Sequence, residues 1–79
     1  MLLKVFFKED CPNCPAAKEV ALQFPFSELF DIEEPDGLAE ASYFSVLSVP
    51  SLVLLDDNDV VVQSWLGRVP RPSEIENIA

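Results

Sequence analysis

The sequence has 79 residues, of which 49% are hydrophobic and 24% are charged, and its formal net charge is −9 at pH 7. This length predicts one small domain over residues 1–79, and no apolar run approaches the roughly 20 residues of a membrane span. The acidity argues against nucleic acid and anionic membranes as partners, because both repel a negative protein. We interpret the acidity as an aid to solubility, with selection of a basic patch on a partner as the alternative.

The first apolar run indicates where the protein is located, and the location in turn bears on the cysteine pair. The first apolar run is interrupted by Lys4 and has no basic segment before it, so it lacks the pattern of a secretory signal peptide. The sequence therefore predicts a cytoplasmic protein. In that compartment a lone cysteine pair is more often catalytic or metal-binding than structural.

The first predicted element is a strand from Leu2 to Phe7, because a nearly unbroken apolar run suits a central strand covered on both faces. A helix is predicted from Pro12 to Phe24, and Pro25 ends it. Pro12 suits the first helical position because its missing N–H would be unbonded there, whereas Pro15 predicts a tight or bent first turn. Four apolar residues at helical spacing form the predicted buried face: Ala17, Val20, Ala21 and Phe24.

The next two predicted elements are an edge strand and a helix. The strand runs from Phe26 to Ile32, so that strand, helix and strand form a βαβ unit with parallel pairing and a right-handed crossover. Asp36 is the predicted N-cap of a second helix from Leu38 to Leu47. The predicted buried face of that helix consists of Ala39, Tyr43, Val46 and Leu47.

The last part of the chain predicts a hairpin and a short helix. Its strands run from Leu52 to Leu55 and from Val60 to Leu66, joined by a turn rich in aspartate and asparagine. A proline precedes the first of these strands, where it does not interrupt the sheet. The spacing of Ser73 and Glu76 predicts a capping box at the start of the last helix.

The cysteine spacing, Cys11-Pro12-Asn13-Cys14 between a strand and a helix, predicts a redox site. The thiolate is the form of cysteine that attacks a disulfide, and the attacking residue therefore needs a lowered pKa. Unbonded N–H groups in the first turn of a helix stabilise an anion, and Cys11 lies at the predicted start of this helix. We expect Cys11 to attack a substrate disulfide and Cys14 to resolve the resulting mixed disulfide.

Two other interpretations of the cysteine pair remain open. A purely structural disulfide would close a very small loop and remove little chain entropy. A structural zinc site needs four ligands, usually cysteine or histidine. The chain has no histidine and no third cysteine, so such a site would need carboxylates or a second copy of the chain. We predict no metal site.

The order of the predicted elements resembles that of the thioredoxin/glutaredoxin superfamily over nearly the whole chain. Three motifs carry the resemblance: the cysteine motif at the head of the first helix, Ser48-Val49-Pro50-Ser51 before a strand, and Trp65-Leu66-Gly67 at the end of the last strand. The resemblance implies an α/β thioredoxin fold with the order βαβαββα. It also implies a four-stranded mixed sheet in the order 2-1-3-4, with the first and last helices on one face and the second helix on the other.

The resemblance also implies roles for individual residues. In this superfamily the proline that matches Pro50 follows a cis peptide bond beside the cysteines, so that the backbone of Val49 can pair with an extended substrate. Pro12, Asn13 and Gly67, which allows close backbone approach, complete the predicted substrate-binding residues. The implied activity is dithiol–disulfide exchange on protein substrates without a bound cofactor. Electrons would come from a reductase of the thioredoxin reductase type or from glutathione.

Some positions depart from the pattern of this superfamily. Val5 stands where typical thioredoxins carry a buried aspartate, and Asp10 stands where they carry tryptophan. The C-terminal half lacks the Gly-Gly and acidic residues with which glutaredoxins hold glutathione. We therefore predict a small, monomeric thioredoxin of glutaredoxin size, acting as a reductant.

Three alternatives remain open at this stage. One is a glutathione-dependent glutaredoxin. The second is a non-catalytic module whose cysteines only sense the redox state, and the third is a metal or iron–sulfur scaffold that bridges two chains.

Overall fold

The computed structural model describes residues 1–79 and contains four strands in one mixed sheet. They are β1 (Leu2–Phe7), β2 (Ser27–Asp31), β3 (Ser51–Leu55) and β4 (Val61–Leu66), and their order is β2-β1-β3-β4. Strand β1 pairs in parallel with β2 and antiparallel with β3, which pairs antiparallel with β4. The predicted sheet order and the parallel βαβ unit are therefore confirmed.

The helices are α1 (Cys14–Leu22), α2 (Pro35–Tyr43) and α3 (Pro72–Glu76), and they cover both faces of the sheet. Because neighbouring side chains of a strand point to opposite faces, β1 and β3 contribute to two separate cores. The core under α1 and α3 contains Leu3, Val5, Ala17, Val20, Ala21, Phe24, Leu52, Leu54, Trp65 and Ile75. The core under α2 contains Phe6, Ala41, Val46, Val53 and Leu55. The predicted placement of the three helices is confirmed.

Helix α1 begins at Cys14 and not at Pro12, so the predicted start is wrong by two residues. A helix starting at Pro12 would take its first hydrogen bond from the N–H of residue 15 to the carbonyl of Cys11. Pro15 has no N–H, and the Cys11 carbonyl instead accepts a bond from the N–H of Cys14 at 3.3 Å. Pro15 consequently falls in the first turn of α1, where its missing N–H leaves no helical hydrogen bond unmade.

Helix α2 lies three to four residues earlier than predicted, and its buried face is different. Pro35 occupies its first position, where a preset φ favours a helix, and Glu34 rather than Asp36 precedes it as the N-cap. The helix buries Gly37 and Ala41. Of the predicted face only Val46 is buried, beyond the end of the helix, and Ala39, Tyr43 and Leu47 are exposed. The prediction was wrong for these three residues because α2 packs on the sheet through Gly37, where a Cβ would overlap the carbonyl of Asp31.

Helix α3 also begins earlier than the Ser-x-x-Glu spacing predicts. Pro72 occupies its first turn, and Glu74 rather than Glu76 makes the capping contact. The N–H of Arg71 donates a hydrogen bond to Oε2 of Glu74 at 2.8 Å. The prediction of a glutamate-capped short helix holds, but Ser73 is not its N-cap.

Candidate active site

Cys11 and Cys14 form a disulfide in the turn that joins β1 to α1, with their Cα atoms 5.3 Å apart. The two sulfur-bearing residues differ in accessibility, because Cys11 is 8% exposed and Cys14 only 1%. Cys14 is the first residue of α1, so the helix holds it beneath the surface. Both cysteines are buried, but Cys11 borders a surface cleft and Cys14 does not.

The peptide bond between Val49 and Pro50 is cis, as the resemblance implies. Pro50 is buried and leads directly into β3, whereas the half-buried Val49 packs against a small cluster formed by Phe7, Cys11 and Cys14. The N–H and C=O groups of Val49 make no hydrogen bond within the chain. Beside the disulfide, the backbone thus offers a free donor and a free acceptor to an extended segment.

A cleft of about 370 Å³ opens beside Cys11. Its walls come from three places in the sequence: the turn after β1, the residue that follows β2, and the loop that precedes β3. These segments contribute Lys8, Asp10 and Pro12, then Ile32, then Leu47, Ser48 and Val49. The cleft combines apolar surface with one charge of each sign, and Cys11 is the cysteine that lines it.

The loop before β3 is tied to the end of β4 by a buried hydroxyl. Ser51 is completely buried, and its Oγ donates a hydrogen bond to the carbonyl of Ser48 at 2.7 Å. The same oxygen accepts a hydrogen bond from the N–H of Gly67 at 3.0 Å. Gly67 has φ +77°, and a Cβ added to it would lie 3.1 Å from Oγ of Ser48. The two hydrogen bonds of Ser51 and the close approach of Gly67 to Ser48 together hold the segment that carries Val49 against the end of β4.

One cation lies close to the disulfide. The half-buried Lys18 is one helical turn after Cys14, and its Nζ lies 4.0 Å from the centre of the Phe7 ring, which itself packs against both cysteines. Val5 is fully buried in an apolar core and supplies no proton acceptor. The ionisable groups around the cysteines are therefore Lys18, Lys8 and Asp10, all on the surface side.

The structure brings most of the sequence-predicted site residues together. Pro12 and Val49 line the cleft with Cys11, and Pro50 lies directly behind Val49. Asn13 is exposed at the N-cap of α1, and Gly67 lies across from Ser48, so neither lines the cleft.

Sequence reasoning missed three residues that line the cleft or support it: Ile32, Leu47 and Ser51. Ser51 stands inside a motif that the sequence analysis had singled out. For Leu47 no signal was available, because its spacing matched a buried helical face.

The side chains form no group of three or more Cys, Asp or Glu residues that could hold a metal ion. No helix is long and apolar enough to cross a membrane.

Comparison with known proteins identifies the fold. No family model matches the chain, and no curated protein matches it. Among solved structures, thioredoxin 1 from Thermosipho africanus TCF52B superposes with a TM-score of 0.71 at 22% identity, covering 99% of this chain and 89% of its own. A thioredoxin from Thermus thermophilus gives a TM-score of 0.67 at 20% identity, covering 98% of this chain and 69% of its own.

A third similar structure is the oxidised C-terminal domain of DsbD from Neisseria meningitidis. It gives a TM-score of 0.69 at 16% identity, covering 95% of this chain and 74% of its own. The chain therefore has the thioredoxin fold, as the sequence motifs predicted.

Proposed function

We propose that this protein is a thiol–disulfide oxidoreductase that reduces disulfides of other proteins by dithiol exchange. The observation that carries the proposal is the asymmetry of the cysteine pair: Cys11 faces an open cleft and Cys14 lies buried beneath it. The thioredoxin fold supports the same conclusion.

The reaction starts from the reduced protein. The Cys11 thiolate attacks one sulfur of a substrate disulfide, forming a mixed disulfide while the second substrate sulfur leaves as a thiolate. The Cys14 thiolate then attacks Sγ of Cys11, which re-forms the Cys11–Cys14 disulfide and releases the first substrate sulfur as a thiolate. Two electrons pass to the substrate, and solvent supplies the protons for the two new thiols. A separate dithiol or reductase returns the protein to its reduced form.

Val49 and its neighbours would orient the substrate in this reaction. Its free N–H and C=O groups can pair with the backbone of an extended segment, which places a substrate cysteine next to Cys11. Pro12 borders the same cleft, and Asn13 and Gly67 would contact parts of the substrate that extend beyond it. No step needs a bound cofactor or a metal ion.

The test is reduction of insulin by dithiothreitol, followed as the precipitation of free insulin chains. We expect the wild type to accelerate it, Cys11→Ser to lose the acceleration completely, and Cys14→Ser to lose most of it and to accumulate a mixed disulfide. No acceleration by the wild type, or full activity of Cys14→Ser, would falsify the proposed mechanism.

The second candidate is a glutathione-dependent enzyme, and the electron donor separates it from the first. The cleft carries a single cation, Lys8, beside Asp10, which is a poor site for a tripeptide with two carboxylates. We therefore expect faster turnover with a thioredoxin reductase than in a glutathione-coupled assay. Faster turnover in the glutathione-coupled assay would favour a glutaredoxin. A protein inactive in both assays would favour a redox-sensing module.

A further inference from the structure

Leu47 is 97% exposed, which makes it the most exposed large hydrophobic side chain of the protein. It does not stand alone on a polar surface, because it forms one wall of the cleft beside Cys11. Ile32 and Val49 contribute further apolar surface to the same cleft, and both are half-buried. Exposed apolar surface that adjoins a reactive group marks a place where a second molecule binds.

The backbone fixes Leu47 in this outward position. At the end of α2, Ser45 adopts a left-handed conformation with φ 57°, and its N–H donates to the carbonyl of Ser42 at 3.2 Å. The N–H of Val46 donates to the carbonyl of Ala41 at 2.8 Å, which completes the double hydrogen bond of a Schellman motif. Val46 fills the core under α2, and Leu47, the next residue, lies outside it.

Charges near the cleft select among possible occupants. Lys8 and Asp10 line it with the exposed Glu9 between them in the sequence, and the exposed Glu33 and Glu34 follow the lining residue Ile32. These two segments at the rim of the cleft hold one cation and four carboxylates. Such a rim repels an anionic segment and attracts a basic one, and the effect weakens as salt is added.

We propose that the cleft selects extended protein segments in which an apolar side chain and a basic side chain flank the reacting cysteine. The apolar side chain packs between Leu47 and Ile32, and the basic one faces the carboxylates of the rim. This inference rests on the proposed function and adds a substrate class to it. Leu47 acts as a specificity-determining residue and has no part in the chemical step.

Three disulfide-linked reporter peptides test the inference, differing only in the two residues beside the cysteine: leucine and lysine, serine and lysine, or leucine and glutamate. We expect the wild type to reduce the leucine–lysine peptide with a kcat/KM about tenfold higher than that of either other peptide. The serine–lysine peptide buries no leucine side chain, and the leucine–glutamate peptide loses the favourable charge contact. Bis(hydroxyethyl) disulfide, which is small and neutral, serves as a substrate that cannot reach Leu47.

Two matched variants isolate Leu47. Leu47→Ser should remove the preference for leucine over serine. Leu22→Ser, at an 84% exposed leucine near the far end of α1, should keep the wild-type preference. The double variant Glu33→Gln with Glu34→Gln should remove the preference for lysine over glutamate, as should high salt.

The outcomes separate this inference from the proposed function. If the wild type reduces all three peptides equally, or if Leu47→Ser keeps the preference for leucine, the inference is wrong and the proposed function stands. If the wild type reduces neither the peptides nor the small disulfide, the proposed function fails and the inference falls with it.

Discussion

Gly37 packs directly against the main-chain carbonyl of Asp31, where helix α2 crosses the end of strand β2. A Cβ atom built on Gly37 would overlap the oxygen and the carbon of that carbonyl. The helix can approach the sheet this closely only because residue 37 has no side chain. This contact sets the depth at which α2 lies on its face of the sheet.

We expect Gly37→Ala to destabilise the protein by about 2–3 kcal/mol, although alanine normally favours a helix over glycine by about 1 kcal/mol. The added methyl group must push α2 away from β2, because the obstacle is backbone and cannot rotate aside. Urea unfolding followed by circular dichroism measures the change. Ala39→Gly, at an exposed position of the same helix, is the control and should cost only about 1 kcal/mol. A Gly37→Ala variant as stable as the wild type would contradict the close approach.

The hydroxyl of Ser51 should matter for substrate reduction as well as for stability. We expect Ser51→Ala to lose about 1–3 kcal/mol, because the N–H of Gly67 and the carbonyl of Ser48 lose the buried hydroxyl that they share. We also expect KM for insulin to rise more than kcat falls, since the loop with Val49 loosens while the cysteines stay intact. Ser51→Thr, which keeps the hydroxyl, should restore most of the wild-type KM. Equal KM values for alanine, threonine and wild type would show that the contact is purely structural.

Lys18 should favour the reactive thiolate through its charge. Its position one turn after Cys14 and above Phe7 places a half-buried ammonium group next to the cluster that contains both cysteines. In a Cys14→Ser background, we expect Lys18→Met to slow alkylation of Cys11 by iodoacetamide at neutral pH by roughly twofold to fivefold, equivalent to about 0.5–1 kcal/mol. Lys18→Arg should keep the wild-type rate. If methionine and arginine behave alike, the charge has no such role.

The apolar runs of the sequence predicted the two central strands. Residues 2–7, apolar apart from Lys4, and the apolar run 52–55 suit strands covered on both faces, and they became β1 and β3. The order of the strands was implied by the resemblance. The cysteine spacing predicted one segment of the site, and the resemblance implied that the Val49–Pro50 step lies beside it.

The helix boundaries and the cleft wall could not be predicted in the same way. The start of α1 depends on which backbone carbonyl loses its N–H donor because Pro15 has none. With Pro12 and Pro15 so close together, the sequence is compatible with several helix starts. The face of α2 depends on the tight approach at Gly37, which periodicity of apolar residues does not report. Leu47 is apolar and follows the helical spacing, so only the left-handed turn at Ser45 reveals that it points outward.

Glu74 links the first turn of α3 to the segment after Gly67, and it gives the protein a defined response to acid. The Arg68 guanidinium, which donates to Oε1 of Glu74 at 2.8 Å, and the N–H of Arg71 lower the pKa of Glu74 from its ordinary 4.5 to about 2. A carboxyl with a lowered pKa contributes stability that is fully present above its unfolded value. That contribution disappears as the pH falls from about 4.5 through about 2.

We expect Glu74→Gln to lower the urea midpoint at neutral pH, and the difference between variant and wild type to shrink as the pH falls through this range. Glutamine cannot titrate, so its contacts with Arg68 and Arg71 stay the same at every pH. Unfolding curves at several pH values between neutral and about 2 measure the effect. Glu76→Gln, at an exposed position of the same helix, should shift the midpoint far less at neutral pH. If the midpoints of Glu74→Gln and wild type differ by the same amount at every pH, the ionised Glu74 carboxylate is not the source of the lost stability. Protonation at low pH would otherwise remove its contribution from the wild type.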